Sequence, residues 1–162
     1  MLEKPVEARC HDDVVEVLQR RIKLLHERGK LIVDNYWGYV YQMEKKLPGW
    51  ENKCRLQIRC IQKGNSIRAD WCEVKWYGSS AKGGRKPVRR QIIKPKNTYG
   101  YTLSKLQTLS PDWAEDIVIK TETQLTEIRR EASHLVKAII YINHARTAAN
   151  SSANACTTDK AT

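Results

Sequence analysis

Between Val15 and Met43, apolar side chains recur in alternating steps of three and four residues: Val15, Leu18, Ile22, Leu25, Gly29, Ile32, Tyr36, Tyr39 and Met43. Such steps keep every member on one side of an α-helix, so the stretch predicts a single long helix with a continuous apolar seam. A helix of this kind must lay its seam against a partner surface of similar length. Asp13 with Glu16 three residues on predicts a capping box at its start, and Pro48–Gly49 predict its end. Gly29 interrupts the seam and weakens the helix by roughly 1 kcal/mol relative to alanine. It is expected either to let a neighbour approach closely or to mark a bend.

The period then changes. Cys54, Leu56, Ile58 and Cys60 alternate with Arg55, Gln57 and Arg59, which predicts a half-buried strand over 53–62. This places Cys54 and Cys60 on one face, with Cys72 a candidate to join them as buried free thiols. "KGNS" at 63–66 predicts a hairpin turn into "IRADWCEVKWYG". In that second strand Ile67, Ala69 and Trp71 hold one phase while Cys72, Val74 and Trp76 hold the other, which predicts a bulge or twist near Trp71. After a loop of "SSAKGGRK", "PVRRQIIK" predicts a third short strand, and the short connections make the pairing antiparallel.

Helical signals return with "YTLSKLQTL", where Thr102 is a candidate cap. "SPDWAED" opens another helix with Ser110 at the N-cap, Pro111 first inside and acids in the first turn. Its seam runs Thr121, Leu125, Ile128, Ala132, Leu135, Ile139 and Ile142. The expectation is a single α+β domain over 12–146, after a loose leader over 1–11 and before a disordered tail over 147–162. It contains a long N-terminal helix, a three-stranded antiparallel sheet, a short helix and a long C-terminal helix packed with the first. Because the two seams offer more apolar length than a small sheet covers, a homodimer is also a candidate state.

Charge is concentrated in the middle of the chain. The whole chain carries +11, yet residues 52–105 hold 14 Lys and Arg against two acids, Asp70 and Glu73, which leaves the remainder at −1. An unopposed basic segment attracts polyanions and speeds their encounter. The five cysteines are odd in number and form no CxxC pair, so neither a disulfide framework nor a zinc ribbon is indicated. A cytoplasmic protein with no signal peptide and no membrane span is expected.

Catalytic patterns are missing. The chain has no GxxxxGK[ST], no GxSxG and no paired-histidine motif. Asp70 and Glu73 are three apart and fall on opposite faces of a strand, so they do not form a metal pair. Tyr99 and Tyr101 are the conceivable nucleophiles near the positive charge, but no histidine cluster is evident beside them. A protein without enzymatic activity, cofactor or metal is expected.

Nucleic-acid binding suits the residues better. The candidate contacts are Arg55, Arg59, Arg68, Lys75, Lys82, Arg85, Lys86, Arg89, Arg90, Lys94 and Lys96, on the outer side of the sheet and in the loop over 79–87. A twisted sheet and a loop rich in Arg can follow a phosphate backbone or enter a groove. Trp71, Trp76, Tyr77, Tyr99 and Tyr101 are interleaved with them; Trp71 and Trp76 read as core first and as stacking platforms second.

The helix ending "NYWGYVYQMEKKLPGW", the strand "IRADWCEVKWYG", the basic third strand and "SPDW" at the last helix together resemble the MobI-type conjugative transfer proteins. These are encoded by integrative conjugative elements and related broad-host-range plasmids, and the resemblance covers roughly residues 12–146. It implies an auxiliary protein that acts at an origin of transfer and assists a relaxase and other relaxosome proteins rather than nicking by itself, with double-stranded DNA the ligand that the residues favour. Two alternatives remain open: an RNA or single-strand binder, and an interaction protein whose basic face meets an acidic protein partner.

Overall fold

The computed structural model describes the backbone of residues 6–78 and 84–158, with side chains over 10–78 and 84–152. Helix α1 spans Val6–Lys46, and a 3-10 turn at Trp50–Asn52 leads to strands β1 (Leu56–Lys63), β2 (Ser66–Tyr77) and β3 (Lys86–Gln91). Helix α2 (Leu103–Leu109), a 3-10 turn (Asp112–Ala114) and helix α3 (Glu115–Thr158) complete the order. The strands form one antiparallel sheet in the order β1-β2-β3.

The two long helices run antiparallel along one side of the sheet. Arg146 meets Asp12 at 2.7 Å, Arg21 meets Glu131 at 2.7 Å and Arg28 meets Glu127 at 3.9 Å, so numbers rising on α1 meet numbers falling on α3. Ile22, Leu25, Ile32 and Tyr36 of α1 interlock with Leu125, Ile128, Ala132 and Ile139 of α3, and both rows close over Leu56, Ile58, Ile67, Ala69 and Trp71 of the sheet. The seams are therefore used against each other and against the sheet. Val17, Leu24 and Leu31, seven residues apart, remain exposed on α1.

Gly29 is the point of closest approach. A Cβ there would lie 2.7 Å from Cys60 Sγ, so the missing side chain lets α1 settle onto β1. The edge of β1 is covered by the same helix: Tyr36 donates its hydroxyl to the Leu56 carbonyl at 2.9 Å, and Trp37 Nε1 donates to the Ile58 carbonyl at 3.1 Å. Sheet edges left with free carbonyls invite pairing with other chains. On the opposite edge, β3 is exposed throughout and carries Pro87 and charged neighbours, which blunt it by another route.

Several boundaries differ from the sequence expectation. Helix α1 begins at Val6, inside the segment read as a leader, so Asp13 is not its N-cap. Helix α3 continues to Thr158 rather than ending before Thr147, because its Ala-rich end sustains helix once the preceding turns are packed. Pro111, not Ser110, takes the N-cap position, ahead of the 3-10 turn that leads into α3. The bulge near Trp71 does not form. Pairing with β1 is unbroken from Ser66 to Glu73, and pairing with β3 is unbroken from Cys72 to Tyr77.

The switch of hydrophobic phase has a different cause. The first half of β2 buries Ile67, Ala69 and Trp71 beneath the helices, whereas its second half buries Cys72 and Val74 on the opposite face. There Trp37, at the β1 edge, lines a hollow with Cys72, while Trp50 lines a second one with Val74 and Trp76. The three cysteines are consequently not on one face. Cys54 precedes β1, Cys60 faces the helices and Cys72 lies on the other side; all three are free.

Candidate nucleic-acid interface

Strand alternation and the cross-strand register determine which basic residues share the face turned away from the helices. Gln57 stands opposite Cys72, Arg59 opposite Asp70, and Ile61 opposite Arg68; across the other seam Val74 stands opposite Arg89 and Trp76 opposite Pro87. Arg55 extends the row, since its carbonyl accepts from Val74 N at 2.8 Å. The outward face therefore carries Arg55, Arg59, Arg68 and Arg89, with Arg85 entering beside it. All five are exposed.

Arg89, Arg85 and Arg68 are each held differently on this face. Arg89 Nε donates to Gln57 Oε1 at 2.8 Å across the sheet, which orients its guanidinium over the strands. Arg85 lies over the Trp50 ring, 5.1 Å from its centroid, a cation–π arrangement that leaves guanidinium N–H groups free for a ligand. Arg68 lies 3.0 Å from Asp70 Oδ2 but off the line of a hydrogen bond, so its charge is locally opposed. Arg55, Arg85 and Arg89 gather around Val74.

Most of the other candidates from the sequence are not brought to this face. Lys75 lies on the helix-side phase and pairs with Glu73 at 3.7 Å, yet it also lines the hollow formed by Trp50, Arg55, Trp76 and Arg85. Arg90 is opposite Glu73 and Lys86 is opposite Tyr77, so both share that phase. Lys94 donates to the Thr98 carbonyl, and Lys96 is exposed in the turn before Asn97. Lys82 lies outside the described residues. Alternation along a strand splits neighbouring charges between two faces, which is why a run that reads as one patch is not one surface.

Aromatic side chains that the sequence did not single out complete the face. Trp37 is 36% exposed and lines a hollow of about 210 Å³ with Gln57, Arg59, Asp70, Cys72 and Arg89. Trp50 and Trp76 meet edge to face at 5.3 Å. Of the two tryptophans read as core, Trp71 is fully buried, donating Nε1 to Glu122 at 2.7 Å, whereas Trp76 is exposed. A signal for Trp37 was present, since it sits beside Tyr36 but off the seam and so needed another surface. Trp50 likewise follows Pro48–Gly49 and belongs to no periodic run.

Behind the sheet lies a buried ionic hub. Glu122 accepts from Trp71, from the Tyr101 backbone N–H at 2.7 Å, and from both terminal nitrogens of Arg129 at 2.8 and 3.1 Å. Arg129 also donates to the carbonyls of Ala69 and Tyr99. This ties α3, β2 and the segment before α2 into one unit, and every partner is satisfied, as a buried charge pair requires.

The tyrosines near the positive charge differ in kind. Tyr101 is buried, and its hydroxyl is pushed up to about 12 by burial first and by the Asp70 carboxylate second. Tyr99 stands with its ring 6.0 Å from that of His134, a neighbour that spacing in the sequence could not reveal. Burial likewise raises the thiols of Cys54 and Cys60. Among the described residues no three His, Cys, Asp or Glu side chains come together as a metal-ligand group, and no helix is long and apolar enough to cross a membrane.

No curated protein and no solved structure matches the chain. The family described as "MobI protein" does, over residues 25–143, a span that runs from the middle of α1 through the whole sheet and most of α3. With the whole arginine-bearing sheet and a large part of each supporting helix inside the matched region, the chain belongs to the MobI family.

Proposed function

We propose that this protein is a DNA-binding accessory factor of conjugative transfer, which engages duplex DNA at an origin of transfer in the cytoplasm and helps a relaxase assemble there. Family membership supports the mobilisation role. The observation that carries DNA binding is the outward sheet face, where Arg55, Arg59, Arg85 and Arg89 stand exposed on a rigid three-stranded frame. Arginine forks on such a frame suit phosphate oxygens and guanine edges. The protein binds without cutting: Tyr101 is buried with its hydroxyl held protonated, and Tyr99 has a single histidine beside it.

The test has two parts. Duplex carrying the origin is titrated with protein over a salt series, against competitor duplex. Tighter binding to the origin with a steep salt slope is expected, and indifference to sequence removes the origin-specific reading. Supercoiled origin plasmid is then incubated with protein and Mg²⁺, with and without the relaxase. A nick stimulated only when relaxase is present is expected. A site-specific nick by the protein alone that disappears in Tyr99→Phe makes it an enzyme instead.

A further inference from the structure

At one end of the outward face, two indoles that the core does not need are left open to solvent. Trp50 is 46% exposed and Trp76 is 42% exposed. They form the wall of an open cleft of about 270 Å³, lined by Arg55, Val74, Lys75, Tyr77 and Arg85 as well. Among the described residues lining it none is acidic. The Arg85 guanidinium lies 5.1 Å from the Trp50 centroid, and Lys53 Nζ lies 5.9 Å from it on the same indole.

This arrangement has the parts of a stacking platform. Edge-to-face contact with Trp76, at an interplanar angle of 69°, uses the rim of one ring and one face of the other, and both indoles remain exposed to solvent. A paired base already has both faces covered by its neighbours in the duplex, so an indole can meet only its edge or sugar. An unpaired base offers a face, and stacking on tryptophan is tolerant of its identity. The cleft is smaller than the roughly 300–1,000 Å³ of sites for drug-sized ligands, which suits one planar ring system. Arg55 and Arg85 stand where the phosphate of the same nucleotide would need a counter-charge.

We infer that the Trp50–Trp76 cleft, with Arg55 and Arg85, holds an unpaired DNA base and its phosphate, so that the protein grips opened duplex more tightly than closed duplex. The inference rests on the DNA-binding reading and adds a preference for strand-separated DNA. An accessory factor with this site would stabilise strand-separated DNA.

The experiment uses the full chain and one mixed sequence in five forms: closed duplex, the same duplex with a short unpaired stretch, single-stranded DNA, single-stranded RNA, and an acidic peptide as a non-nucleic competitor. Binding is followed by anisotropy and by quenching of tryptophan fluorescence. The opened duplex is expected to bind about tenfold more tightly than the closed one, with quenching. Trp76→Ala is expected to remove that advantage, weakening binding of the opened duplex about tenfold more than that of the closed one, and Trp76→Phe to retain most of it. Equal affinity for opened and closed duplex, or equal losses on both in Trp76→Ala, overturns the stacking site while leaving DNA binding intact. Tighter binding of RNA than of DNA, or displacement of the opened duplex by the acidic peptide alone, also overturns it. Failure to bind any DNA at low salt removes the underlying DNA-binding reading instead. The preference of the unaltered protein is read without any variant, so a poorly folded mutant does not shield the inference.

Discussion

Cys60 Sγ stands where a side chain on Gly29 would have to go. Gly29→Ala therefore sets two effects against each other. Helix α1 gains roughly 1 kcal/mol of propensity, while forcing a methyl into packed surroundings typically costs about 1–3 kcal/mol. With the sulfur only 2.7 Å away, the clash should win, and chemical denaturation should show a net loss of about 1 kcal/mol. Adding Cys60→Ala should recover most of it by vacating the space. A Gly29→Ala protein more stable than the parent would show that α1 and β1 are less closely packed than the structure has them. The sequence placed Gly29 on the seam, but the identity of its neighbour was not legible, because Cys60 lies on a strand whose register against a helix no local pattern encodes.

At the scale of the element, β3 shows how a strand divides a charge run. Arg89 faces outward with Gln57, whereas Lys86 and Arg90 belong to the helix-side phase. Arg85→Ala with Arg89→Ala should therefore reduce the salt slope of duplex binding by about 0.9 for each phosphate that is no longer neutralised. Lys86→Ala with Arg90→Ala should change it by less than half as much, though the four charges are almost contiguous in the chain. Equal effects from the two pairs would mean that DNA follows the strand edge rather than the sheet face. Strand β2 makes the same point about apolar residues. Its change of phase at Trp71 was legible, but its cause was not: Trp37 and Trp50, one before and one after the end of α1, arrive on the far face only through tertiary packing.

In the whole molecule, two helices act as a clamp over one side of a sheet that would be marginal alone. Leu25 is 1% exposed at the centre of that clamp. Leu25→Asp places an unpaired charge there, at a cost of several kcal/mol, and should abolish the cooperative thermal transition. Retention of a native-like melting curve would mean the helices do not share one core. Glu122→Ala should act in the same direction from the other side, by leaving Arg129 buried without its carboxylate. The seven-residue spacing of Glu122 and Arg129 beside the α3 seam was visible in the chain. Their meeting with Trp71 and Tyr101 was not, since it depends on strand and loop being folded against α3.

What the sequence determined by itself were the kinds and order of elements, the two long seams, the three strands and the concentration of positive charge. These follow from periodicities of two and 3.6 residues and from local composition, which a chain carries before it folds. What the tertiary structure alone decided was direction: which arginines share the outward face, why Trp76 is open while Trp71 is sealed, and how Trp50 comes to stand beside Arg85. A strand's two faces are equivalent until something covers one of them. Here the helix pair covers one face, and the exposure of every side chain on the sheet follows from that choice.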